Sequence, residues 1–196
     1  MEQSSAAVER SVVESLLDYE RYEEIWQRLP ASTYFAAWRA VNARALGVLA
    51  AITLQQLAHA QAASGTADVY PWVSRAIDAA RTTELNQDVL TQAWLADQHD
   101  RGVRLATAHP DRGDATGIGA LRAVLGARLM AAELDGDSVR VRQLTKDASD
   151  PVEVRESLVQ LADALARDLA EATGGSRETV LRALVADADS GSDSGL

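Results

Sequence analysis

From Ala31 to Ala67 the chain runs without one acidic residue, and its only arginines or lysines there are Arg39 and Arg44. Ala and Leu fill most of the stretch, and they are among the best helix formers because they lose little side-chain freedom in a helix. Ser32 or Thr33 can cap such a helix, which is predicted to run to about Ala63 with Gly65 as its stop. A helix with so few charges must be surrounded by others. The stretch therefore predicts the central helix of an all-α protein.

The flanking sequence supplies the helices to surround it. Residues 4–29 form a first predicted helix, with Val8, Val12, Leu16, Tyr19, Tyr22 and Trp26 spaced by three and four. Its other face carries Glu9, Glu14, Glu20, Glu23 and Glu24, and Pro30 stops it. Further helices are expected over 71–82, with Pro71 in its first turn, over 86–108 and over 118–134. Gly102 weakens the second of these by about 1 kcal/mol relative to alanine. In the third, Gly119, Ala123 and Ala127 form a small-residue stripe that allows a neighbour close approach. Residues 139–147 mix strand-like alternation (Val139, Val141) with helical spacing, and are assigned a short helix.

The C-terminal region has the clearest boundaries. Asp150-Pro151-Val152-Glu153 is a capped helix start, and that helix extends to about Thr173. Gly174 can close it in a left-handed conformation, Ser176 can cap the next, and a last helix covers 177–188. The expected architecture is a single-domain multi-helix bundle over 1–188, with six or seven helices and a C-terminal helix hairpin. Residues 189–196, rich in Ser, Gly and Asp, are expected to be a disordered tail.

Composition narrows the chemistry. The chain has no cysteine, which removes disulfides, thiolate metal sites and cysteine nucleophiles together. Its formal net charge of −10 repels phosphate backbones and anionic lipid. The start, Met-Glu-Gln-Ser-Ser, does not read as a signal peptide. The apolar run Ala45–Leu54 is shorter than a membrane span. The expectation is a cytoplasmic bacterial protein with no membrane association.

Residues 169–184 resemble a DNA-binding helix-turn-helix. Ala170, Gly174 and Val180 fall where that motif places a small residue, a turn glycine and a buried β-branched residue. The resemblance implies DNA contact through Ser176, Arg177, Thr179 and Arg182. Gly175, the long leading helix and the surplus of acids after Asp150 depart from the pattern, since DNA affinity rests on cations at phosphates. Nucleic acid is therefore not the leading partner.

No other motif holds together. His59, His99 and His109 lack the i,i+3 or i,i+4 partners of a helical metal site. Asp97, His99, Asp100 and His109 are the best acid–base guesses for an enzyme. The Gly113–Gly119 loop, with Arg112 and Arg122, precedes a helix but lacks a P-loop ending. The acidic turn Asp135–Asp137 lacks the remaining ligands of a calcium loop. No catalytic residue, metal site or cofactor is assigned.

Aromatic placement is the remaining signal. Tyr19, Tyr22, Trp26, Tyr34, Phe35 and Trp38 lie within twenty residues, and Trp72 follows on a later helix. Such a cluster fills a core, lines an apolar pocket or forms an interface. The leading expectation is a non-catalytic helical protein acting through protein–protein contact, as a scaffold, adaptor or accessory subunit of a larger assembly. Its partner would be another protein, with a homodimer as one form. The alternative is a ligand-responsive transcription regulator that holds an apolar molecule among Trp26, Phe35, Trp38 and Trp72 and contacts DNA through 169–184.

Overall fold

The computed structural model describes residues 5–63, 70–81, 83–110, 114–148 and 150–190, the side chains of 19–20 and 187–190 excepted. Every regular element among them is helical: α1 (Ser5–Leu17), α2 (Tyr19–Arg28), α3 (Ala31–Ala62), α4 (Pro71–Ala79), α5 (Gln87–Ala108), α6 (Ala115–Leu134), α7 (Ser138–Asp147), α8 (Pro151–Thr173) and α9 (Arg177–Ser190). The described residues form nine helices, above the six or seven expected, and one of the additions comes from a division of the predicted first helix. The predicted first helix breaks at Asp18, a residue type that favours helix starts because its side chain competes for backbone N–H groups. The ambiguous segment 139–147 is helical, with the Asp137 carboxylate accepting from the Arg140 amide at 2.9 Å.

α3 is the axis of the molecule. It packs on α8, α1 and α5 and touches α6 and α9. Tyr34, Trp38, Val41, Ala45, Leu46 and Leu49 recur at three- and four-residue spacing along its buried face. Its start differs from the expectation. Neither Ser32 nor Thr33 caps it; Pro30 precedes it, and the Pro30 carbonyl accepts the Tyr34 amide at 3.0 Å. The proposed stop, Gly65, lies outside the described residues. By length and composition α3 and α6 are each apolar enough to cross a membrane. Counting only Ala45–Leu54 missed this, because α3 continues on both sides of that run.

The two arginines of α3 each reach another helix. Arg39 pairs with Glu133 of α6 at 2.6 Å. Arg44 pairs with Glu9 of α1 at 2.6 Å and donates to the Leu184 carbonyl of α9 at 2.7 Å. Glu9 is therefore buried rather than on the outer face assigned from the sequence. A buried carboxylate needs a partner, and here it comes from 35 positions away in the chain.

Glycine sets the closest contacts, though not at Gly119, where an added Cβ would have ordinary room. A Cβ on Gly102 would stand 2.7 Å from Val124 Cγ2 and 2.9 Å from the Ala120 carbonyl oxygen. One on Gly126 would stand 2.5 Å from the Ser157 carbonyl oxygen. These positions let α6 press its backbone against α5 on one side and α8 on the other. The propensity cost read at Gly102 thus offsets a packing requirement.

The caps of the last two helices form where the sequence placed them, while the last helix runs further than expected. The Asp150 carboxylate accepts the Val152 amide at 2.8 Å, and Gly174 adopts φ 66° with its successor's amide bonded to Ala170 O at 3.0 Å. α9 continues to Ser190, two residues beyond its predicted end, so the start of the expected tail is helical; residues 191–196 lie outside the described residues.

Candidate functional site

The aromatic cluster is mostly core. Tyr34 and Trp38 have no solvent exposure, and Tyr22 is nearly enclosed. α2 and α3 meet at the Pro30 turn, which brings the Trp26 ring edge-on to Tyr34 at 4.9 Å and beside Phe35 at 5.7 Å. Tyr34 then meets Trp38 at 6.2 Å. The reading of these rings as one accessible surface or pocket is corrected accordingly: Tyr22, Tyr34 and Trp38 face inward. Only Trp26 and Phe35 remain half-buried. Trp72 is buried elsewhere and stacks on Tyr70 at 6.1 Å, so no common pocket joins it to Trp26, Phe35 and Trp38. The Tyr19 side chain lies outside the described residues.

A residue with no motif organises this cluster. Arg155 of α8 is almost fully buried, with its guanidinium 5.0 Å from the Tyr22 ring centre and 4.9 Å from that of Trp26. Its Nη2 lies 3.3 Å from both Glu23 and Glu156. Tyr22 donates its hydroxyl to Glu156 at 2.5 Å, and burial together with that bond pushes the Tyr22 pKa well up. Burial also raises Tyr34. The sequence did contain a signal: Leu158 and Val159, three and four places after Arg155, are both buried, which puts Arg155 on an inward stripe.

The outer side of Phe35 opens onto a cavity of about 380 Å³ between α3, α6, α7 and α8. Its floor is apolar: Phe35, Leu129, Val141, Val154 and Leu158. Its rim has Arg39, Arg142 and Lys146, with the Ser32 and Thr145 hydroxyls, and no acidic residue among the described residues. On the other side of α7 lies a groove of about 550 Å³. Ile118, Leu121, Leu125 and Leu144 line it; Arg122 and Arg128 border it on α6, and Asp147, Asp150 and Glu153 border it opposite. Leu121 is 46% exposed there, and Val139 at the start of α7 is 62% exposed.

The hairpin that resembles a helix-turn-helix has its cations engaged. Arg177 pairs with Asp163 at 2.5 Å and reaches the Leu16 carbonyl at 3.4 Å, tying α9 to α8 and α1. Arg182 pairs with Glu178 at 2.8 Å. Ser176 accepts the Thr179 amide at 3.1 Å, as a helix cap does, and its hydroxyl lies 2.8 Å from that of Thr179. All four suggested DNA-contacting residues thus have partners within the chain.

The acid–base guesses do not converge. Asp97 is buried, whereas Asp100 is exposed and tied to Arg75 at 2.5 Å, which holds its carboxyl below the usual range. His99 Nδ1 stands 3.3 Å from Asp100, and His109 pairs with Asp114 at the distant end of the helix at 3.0 Å. His59 is exposed. Asp114 also caps α6 by accepting the Thr116 amide at 2.7 Å, so a carboxylate already occupies the helix N-terminus suggested for an anion. Arg112 and Gly113 lie outside the described residues. Among the described residues, no group of three or more His, Asp or Glu could hold a metal ion. Among the described residues, one carboxyl is clearly raised, that of Asp168 on α8: burial drives it up, against the hydrogen bond from Trp94 Nε1 at 2.6 Å. Sequence reasoning did not single it out, since its indole partner lies 74 positions away.

Comparison of this chain with protein-family models, with curated proteins and with solved structures finds no match.

Proposed function

We propose that this chain has no catalysis of its own and works by contact with another protein, as a scaffold, adaptor or accessory subunit in the cytoplasm. The observation that carries this reading is Leu121, a large apolar side chain left open at the mouth of the α6–α7–α8 groove. Ile118, Leu121 and Leu125 follow helical spacing, and such a groove suits the apolar face of an amphipathic helix. The groove's borders differ in sign, with arginines on α6 and acids at the α7–α8 junction. The fitting partner is therefore a helix with acids along one flank and bases along the other, which also sets its direction. This moves the expected contact surface from the buried aromatics to the groove between α6, α7 and the start of α8.

A photoreactive amino acid at position 121, in cells, tests it. A discrete adduct to one other protein, through an amphipathic helix, is expected; the same residue at exposed His59 should give none. Adducts only between copies of this chain, or identical products from both positions, would overturn the reading.

The regulator reading keeps one supporting observation, the cavity beside Phe35, which suits a small ligand. Its DNA half is tested by a gel shift with genomic fragments at low salt, comparing the native chain with Arg177→Ala and Arg182→Ala. A shift lost in both variants supports it, and no shift sinks it.

A further inference from the structure

The cavity between α3, α6, α7 and α8 stands apart from the docking groove and does not depend on it. Its floor is made of side chains from all four helices, most of them buried: Leu129, Val141, Val154 and Leu158, with half-buried Phe35. Its rim is charged with one sign only. In a chain where acids outnumber bases 29 to 19, this cavity is lined, among the described residues, by three bases and no acid. Arg39 is shared with Glu133. Arg142 and Lys146 have no hydrogen-bond or ion-pair partner among the described residues, and both stand on the same face of α7, four positions apart. Unpaired cations over an apolar floor match a ligand with an anionic head and an apolar tail. The volume, about 380 Å³, lies in the range of small-molecule sites.

We propose that this cavity binds an anionic single-chain amphiphile, its tail on Phe35, Leu129, Val154 and Leu158 and its carboxylate or phosphate head between Arg142 and Lys146. The head gains two charge-assisted hydrogen bonds from side chains that no carboxylate among the described residues engages. The tail removes apolar surface from water.

Methyl-labelled protein is titrated with decanoate, decyl phosphate and decyltrimethylammonium, each below its micelle concentration. Saturable shifts at the Leu129, Val141, Val154 and Leu158 methyls are expected with the two anions and not with the cation. A preference between decanoate and decyl phosphate identifies the head group. The double variant Arg142→Gln/Lys146→Gln changes only exposed side chains, and its helical circular dichroism should match the native chain. It should bind the preferred anion at least about tenfold more weakly, a loss of about 1.4 kcal/mol. Absence of saturable binding by either anion, equal binding of the cation, or undiminished affinity in the double variant would overturn the proposal. So would methyl shifts produced only by an acidic amphipathic peptide and by neither anion.

Discussion

Residues 154 and 155 are neighbours on α8, yet they face two regions built on opposite principles. On the Arg155 side, two aromatic rings and two glutamates enclose a guanidinium, and Tyr34 and Trp38 seal the space behind. On the Val154 side, the apolar floor stays open to a cavity, and α7 covers it only partly while packing chiefly on α6. The closed side includes costs. Tyr34 Oη, Trp38 Nε1 and Arg155 Nε are buried with no hydrogen-bond partner among the described residues. The open side leaves apolar surface in water. Where burial is complete the chain tolerates unmet polar atoms; where hydrogen bonding is easy, it leaves room. The first pattern suits a fixed core and the second suits a surface that receives something.

Mutation can break this contrast. Trp38→Ala should have the largest effect, about 4 kcal/mol lost, since a fully buried indole leaves a cavity that neighbours fill only partly. Urea unfolding measures it, and a loss below about 1 kcal/mol would mean the closed side is looser than described. Arg155→Met comes next, at about 2 kcal/mol, because it removes two buried cation–π contacts and one of the cations beside Glu156, which keeps Tyr22 and Arg122. Near-UV circular dichroism should lose signal from Trp26 as well.

Asp168→Asn sharpens the comparison by removing a half-buried charge of the opposite sign, for Trp94 holds a carboxylate on α8 where Trp26 covers a cation. The folded pKa of Asp168 is raised, so its contribution to stability is present at acid pH and lost as pH rises through that value. The variant should melt slightly higher than the native chain at pH 7, and the difference should vanish below the ordinary aspartate range of about 4. Thermal melts across pH 3.5–7 decide it; a variant less stable at neutral pH refutes the sign. The smallest effect is expected from Val139→Ser, within about 0.5 kcal/mol, because this side chain at the start of α7 is already largely in water.

The sequence expressed local rules well and long-range ones poorly. Pro71, Asp150 and Gly174 set helix ends by chemistry confined to a few neighbouring residues, and each was legible. The Asp18 break was hidden because Tyr19, Tyr22 and Trp26 continue the spacing of Val8 and Val12 across it. Glu9 read as a surface acid because nothing nearby identifies Arg44 as its partner. Gly102 read as a weakness, and only the approach of Val124 gives it a purpose. The aromatic cluster stood out in the sequence, but spacing does not say which side of a ring faces solvent. The two cavities beside α7 arise from how four helices diverge, and no residue pattern in the sequence specifies that angle.

Lys146 is the only lysine in the chain, against eighteen arginines, and it stands at the rim of the cavity beside Phe35. Amine-directed reagents do not modify guanidinium groups at neutral pH, so the chain offers them a single side chain. A fluorophore attached there would sit beside α7 without any engineered cysteine, and a brief pulse of acylating reagent would read, as protection of one amine, whether the cavity is filled.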